Sequence, residues 1–146
     1  MLGLESILLW TQAFSTLSLV GLIWTIQVVH YPLFARVGTA EFVEYQHRHM
    51  RRITWVVAPL MFAELGAASL LFLMMPSNPL AVAGVSLVAV IWLSTALIQV
   101  PCHNRLVDGF DEQSHRKLVN SNWIRTVAWT IRGVLSLAML SCSSIS

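Results

Sequence analysis

Residues 122–141 read NWIRTVAWTIRGVLSLAMLS, an apolar run of bilayer-spanning length with Arg125 near its start and Arg132 inside it, about three helical turns past Asn122. A charge at mid-bilayer costs at least ~2.5–3.5 kcal/mol if left alone, so Arg132 must face a partner, a cavity or a ligand. Read with a helical period, His115, Leu118, Asn122, Arg125, Trp129, Arg132 and Ser136 fall on one stripe, alternately three and four residues apart. Val119, Ile124, Val127, Ile131, Val134, Leu135 and Leu137 cover the other faces. In water the polar stripe would point outward. In lipid it must point into a bundle.

The rest of the chain supplies that bundle. Of the 146 residues, 56% are hydrophobic and 11% charged, against roughly 25% charged in a soluble domain. Apolar stretches near 6–29, 53–75, 80–100 and 122–141 are each long enough to cross about 30 Å of hydrocarbon. The expected fold is all-α: a four-helix transmembrane bundle forming a single integral membrane domain, 1–146. The first stretch has no basic n-region and no small-residue cleavage site, so it reads as a span and not a signal peptide.

Charge placement sets the orientation. Arg36, Arg48, Arg51 and Arg52 lie between spans one and two, and Arg105, Arg116 and Lys117 between spans three and four. The N-terminal tail, the outer turn Pro76–Pro79 and the C-terminal SCSSIS carry no Lys or Arg. By the positive-inside rule both basic loops are cytoplasmic, giving an N-out/C-out protein, expected in a bacterial inner membrane. The net charge of +2 is a topology signal, and nothing in it points to nucleic acid. Cys102 and Cys142 fall at opposite membrane faces, which argues against an intramolecular disulfide.

Tyr31-Pro32 marks the expected inner end of span one, and Pro101 that of span three. TAEFVEYQHRHMRR (39–52) reads as a short amphipathic cytoplasmic helix between spans one and two, or as an extension of span two. Thr39 is its expected N-cap and Phe42 a staple, and Phe42, Tyr45 and His49 share a face. Pro59 is placed to kink span two. PSNP makes a tight outer turn. Asp111 is the expected N-cap of a long last helix.

The other spans offer partners for the stripe. Span one has Gln12, Thr16, Gln27 and His30; span two has Thr54 and Glu64; span three has Thr95, Gln99 and His103, four apart. Glu64 lies eleven residues past Ile53 and Arg132 ten past Asn122, about 16 and 15 Å at 1.5 Å per residue. Both helices run outward, so the two residues share a depth, across a bundle diagonal of roughly 13 Å. The five histidines (His30, His47, His49, His103 and His115) all belong to the cytoplasmic half. The expected site is therefore a cytoplasm-facing cavity lined by imidazole, amide and guanidinium groups. His30, His103 and Glu64 are its expected catalytic groups, with His30 and His103 also the expected metal ligands. His47, His115, Gln27, Gln99, Asn122, Arg125 and Arg132 are its expected cofactor-binding groups. Imidazoles on separate helices suit haem or a metal ion, and the arginines suit propionates, a quinone or a small aromatic ligand. A buried Glu–Arg pair that only specifies the bundle, and loop histidines that only meet water or headgroups, are the competing readings.

From Thr95 to Arg132, TALIQVPCHNRL, a short acidic spacer and NWIRTVAWTIR resemble the second half of the anthrone-oxygenase-like group of small four-helix membrane proteins. WTIQVVHYPLF, FVEYQHRH and MFAE in the first half resemble bacterial membrane proteins of similar layout. Pro101, Asn104, Leu106, Trp123 and Arg132 match the shared pattern, which brings Asn104 into the expected cofactor-binding set. The resemblance implies the four-span fold and, through fungal relatives linked to oxygenation of an aromatic polyketide, oxidative chemistry on an aromatic substrate.

Three functions compete. The first is a membrane oxidoreductase or cofactor-binding protein using His30 and His103. The second is a proton-coupled or small-molecule carrier in which Glu64 titrates against Arg132, acting as a homodimer. The third is a structural or assembly subunit of a larger membrane complex.

Overall fold

The computed structural model describes residues 3–143. The last residues of the expected outer termini, 1–2 and 144–146, lie outside the described residues. Four helices account for nearly all of it: α1 (Leu4–Phe34), α2 (Thr39–Met74), α3 (Pro79–Leu106) and α4 (Glu112–Ser143), each long and apolar enough to cross a membrane. Among the described residues there is no strand. The protein is an all-α, four-helix bundle of the integral membrane type.

Helix α1 packs on α2 and on α4, and α3 closes the ring between those two. α2 and α4 are therefore diagonal. Three layers of buried residues fill the interior. Leu9, Leu71 and Met139 pack at the end away from the basic loops. Leu19, Met61, Ile91 and Trp129 pack in the middle. Phe34, Phe42, Leu106 and Leu118, none with any exposed surface, close the basic-loop end. Between membrane helices the attraction is close packing, and small residues permit it. A Cβ at Gly133 would stand 3.3 Å from the Val20 side chain of α1. Phe14, Trp55, Leu73 and Leu97 are 70% or more exposed and suit contact with lipid.

Several boundaries differ from the sequence expectation. Segment 39–52 is not a separate helix but the first turns of α2, which runs unbroken through Pro59 to Met74. No glycine or proline lies between Thr39 and Ala58 to break the segment from the span, and the buried Phe42 packs at the bundle end. The N-cap of α2 is Gly38, not Thr39. Asp111 caps α4 as expected, its Oδ2 accepting from the Ser114 backbone N–H at 2.8 Å. Asn78 caps α3, its Oδ1 accepting from Leu80 N at 2.9 Å, with Pro79 in the first turn.

Neither Pro32 nor Pro101 ends its helix. Each is preceded by a π-helical turn, Ile26–His30 in α1 and Thr95–Gln99 in α3, and followed by further α-helix. In these turns Tyr31 N–H donates to Ile26 O, and Val100 N–H to Thr95 O. The wider turn changes the register just where a proline ring would collide with the carbonyl four residues back. Both halves of the chain thus share one plan: a helix, a π turn, a proline, a basic loop and a long helix.

Candidate functional site

Two polar systems lie on the bundle axis, separated by Trp129. The first joins the diagonal helices. Arg132 Nε donates to Glu64 Oε1 at 2.8 Å, with the two residues 1% and 0% exposed. The same oxygen accepts from Thr16 Oγ1 at 2.8 Å, and Glu64 Oε2 accepts from Trp129 Nε1 at 2.9 Å. Arg132 Nη1 donates to the Gly84 carbonyl, and Nη2 reaches Gln12 Oε1 and Thr16 Oγ1. A Cβ at Gly84 would stand 3.2 Å from Arg132 Nη1, so the guanidinium lies where a larger residue would crowd it. Every helix contributes, and both carboxylate oxygens are taken. Removing either partner of a buried, hydrogen-bonded pair of this kind leaves the other charge uncompensated, so the contact is costly to break.

The second system lies nearer the basic loops, beside a cavity of about 270 Å³ that neither Glu64 nor Arg132 lines. Most of its wall is apolar: Leu19, Ile23, Ile26, Val57, Met61, Phe62 and Trp92 among others. One side is polar, made by Tyr31, His49, Thr95, Gln99, His103 and Arg125. Tyr31 sits at its centre. The hydroxyl is 3.0 Å from His103 Nε2 and accepts from Arg125 Nη2 at 3.3 Å. His103 Nδ1 is 3.0 Å from Gln46 Nε2. His49 Nδ1 is 2.9 Å from His30 Nε2, so one of these two rings donates and the other accepts. The His49 and His103 rings stand 5.7 Å apart.

Arg125 is 7% exposed. Asn122 Oδ1 accepts from its Nε at 2.9 Å, Thr95 Oγ1 lies 3.4 Å from Nη1, and the guanidinium sits 5.8 Å over the Trp129 ring. Among the described residues no carboxylate pairs with it; the acidic partners go to Arg48, Arg116 and Arg132 instead. The indole N–H of Trp92, also on the cavity wall, is buried without a protein partner. A buried cation lacking a counter-charge and the Trp92 side chain, whose N–H is unmet, both line this small space.

The remaining expected residues divide between this wall, its supports and the surface. Gln27 and Asn122 are supports: Asn122 Nδ2 donates to Gln27 Oε1 at 2.8 Å, and Gln27 donates to Val119 O. Gln99 is held by Ser94 and Ser121. His115 ties α4 to α1 through the Tyr31 carbonyl, 2.8 Å from its Nε2, and stacks on Phe34. His47 is exposed beside Arg48 and Arg51, and Asn104 is exposed as well. His30 meets His49, while His103 is engaged through both nitrogens by Tyr31 and Gln46. Among the described residues no group of three or more His, Cys, Asp or Glu is arranged to hold a metal ion.

Sequence reasoning left out Tyr31, Gln46 and Trp92, and counted His49 among the imidazoles of the cytoplasmic half without giving it a role of its own. A signal existed for His49, which shares a helix face with Phe42. Tyr31 was concealed by the proline after it. Comparison of the chain with protein-family models, curated proteins and solved structures finds no match.

Proposed function

We propose that the protein is an oxidoreductase or cofactor-binding protein of the bacterial cytoplasmic membrane that holds a lipophilic small molecule with an acceptor-rich head, anionic or quinonoid, in the cavity beside Tyr31. The observation that carries this is Arg125: a buried guanidinium on a cavity wall with no carboxylate partner among the described residues. Leaving such a charge unneutralised costs several kcal/mol on the scale of about 3–5 for a broken buried pair. A ligand oxyanion or carbonyl oxygen beside it recovers that cost. The volume, about 270 Å³, falls just below the range of ordinary ligand sites, roughly 300–1,000 Å³, which suits one ring system.

The chemical role of the wall is hydrogen bonding and proton handling. Arg125 fixes the head group. Tyr31, set between Arg125 and His103, donates to or withdraws from the ligand oxygen as His103 changes its hydrogen bond. His49 presents a second imidazole to the same space, backed by His30. The sequence resemblance to the anthrone-oxygenase-like group agrees with an aromatic substrate. The carrier reading loses support because both oxygens of Glu64 already accept from donors fixed in the bundle.

The test is an absorption spectrum of the detergent-purified protein, oxidised and reduced, with solvent extraction of the same sample. A retained chromophore or lipophile, lost in Tyr31→Phe and Arg125→Gln, is the expected result. Extracts of wild type and both variants that contain only detergent and phospholipid would reject the proposal.

A further inference from the structure

The shape of the cavity wall restricts how a ligand arrives. Toward the basic loops the bundle is packed by Phe34, Phe42, Leu106 and Leu118, all without exposed surface, and the wall residues at that end, His49 and Met50, are partly buried. Toward the opposite end it is closed by Trp129 and, behind it, the Glu64–Arg132 pair. The wall residues from α1 and α4 are buried, with only Leu22 partly exposed. Exposed wall residues occur on α2 and α3 alone: Thr54, Phe62 at 62% and Val100 at 44%. Between them the seam is lined only by small side chains, Ala58 and Thr95, the latter in the π turn of α3. Phe62 and Trp92, with ring centroids 5.2 Å apart, form the outer lip.

We infer that this seam is a lateral mouth: the ligand enters from the hydrocarbon of the leaflet at the basic-loop side and is an amphiphile whose tail remains in the bilayer. The inference rests on the reading that the cavity holds a lipophilic molecule with an acceptor head. The mouth begins at Thr54, two residues beyond Arg52, and ends at Phe62, a rise of about 12 Å at 1.5 Å per residue. Arg51 and Arg52 and the 79%-exposed Trp55 mark the adjoining interface. The mouth therefore opens below the headgroups, into acyl chains, where a water-soluble compound is scarce and a membrane-dissolved one is concentrated. A cavity of about 270 Å³ takes a ring and its oxygens, and an attached chain must leave through the opening. A tailed quinone or a long-chain aromatic acid or phenol has that form.

Ile23 allows a direct test. It lies on the α1 wall, 2% exposed, so a bilayer molecule reaches it only through the cavity. A small diazirine-bearing aliphatic residue is placed at position 23, and the protein is reconstituted in nanodiscs of phosphatidylethanolamine and phosphatidylglycerol. A benzoquinone carrying a decyl chain is added as probe, the sample is irradiated, and adducts are identified by mass spectrometry. The same residue at position 14, where Phe14 is 72% exposed, controls for ordinary lipid contact. The expected result is a probe adduct at position 23 that falls roughly fivefold or more in Ala58→Trp and in Val100→Trp, since an added indole overfills a mouth of this size. Two mouth variants are used so that misfolding of one leaves the other to decide. An adduct yield unchanged in the folded mouth variants, or no adduct at 23 while position 14 labels, would overturn lateral entry. Retention of the adduct in Arg125→Gln, with loss in the mouth variants, would instead count against the head-group reading alone.

Discussion

Replacing Arg132 by methionine removes the cationic half of a diagonal clamp and leaves Glu64 buried at 0% exposure with only Thr16 and Trp129 as donors. Breaking a buried pair in this way costs about 3–5 kcal/mol. The contacts to Gly84, Gln12 and Thr16 disappear with it, which puts Arg132→Met toward the upper end. Glu64→Gln keeps an oxygen for one donor and turns an NH₂ group toward the others, leaving Arg132 uncompensated; about 3 kcal/mol is expected. The double variant contains neither charge, and the amide introduced by Glu64→Gln still meets Thr16 or Trp129. It should therefore be less destabilised than the sum of the singles by about 2–3 kcal/mol, a coupling that a double-mutant cycle isolates. Unfolding in mixed micelles of dodecylmaltoside and dodecyl sulfate, followed by tryptophan fluorescence, supplies the three differences. A folding equilibrium of Arg132→Met within about 0.5 kcal/mol of wild type, or strictly additive singles, would refute the claim that this pair holds α2 to α4.

Other outcomes follow from the same contacts. Gly84→Val should lower the unfolding midpoint by more than Gly84→Ala, since even a lone Cβ stands 3.2 Å from Arg132 Nη1; equal midpoints for the two would show that the guanidinium moves aside freely. Phe34→Ala should cost about 3–5 kcal/mol in the same micelle assay, because the ring is fully buried and packs on Phe42, Tyr45 and His115. His115→Ala should destabilise by about 1–3 kcal/mol by stranding the Tyr31 carbonyl, whereas His47→Ala, at an exposed position, should stay within about 0.5 kcal/mol of wild type.

The parts of this architecture visible in the sequence are those governed by lipid solvation. Four apolar runs and a polar stripe on the last of them force a bundle with an inward polar face. Equal depth then places Glu64 against Arg132, and their Nε–Oε1 distance of 2.8 Å agrees with that reading. The parts that could not be read depend on register and on sideways packing. A π turn adds a residue to one turn, so the inward phase counted from Ile23 and Gln27 moves on to Tyr31 and leaves His30 at the half-buried edge. Proline ordinarily signals the end of a helix, and here the same π turns let Pro32 and Pro101 stay within one. Gln46 was hidden, and His49 was given no role of its own, because a charged segment followed by a span reads as surface, although Phe42, Gln46, His49 and Ile53 keep a helical spacing. The mouth between α2 and α3 has no local sequence signature at all. It arises where Ala58 and Thr95 fail to fill a seam whose existence depends on which helices are neighbours.

The measurement that bears most directly on the proposed site is native mass spectrometry of the purified protein, wild type beside Arg125→Gln and Tyr31→Phe. The account predicts one lipophilic molecule with an acceptor head retained by the wild type and released by both variants, with all three proteins folded. A wild type that carries nothing beyond detergent and phospholipid, or a bound molecule kept unchanged by both variants, would contradict it.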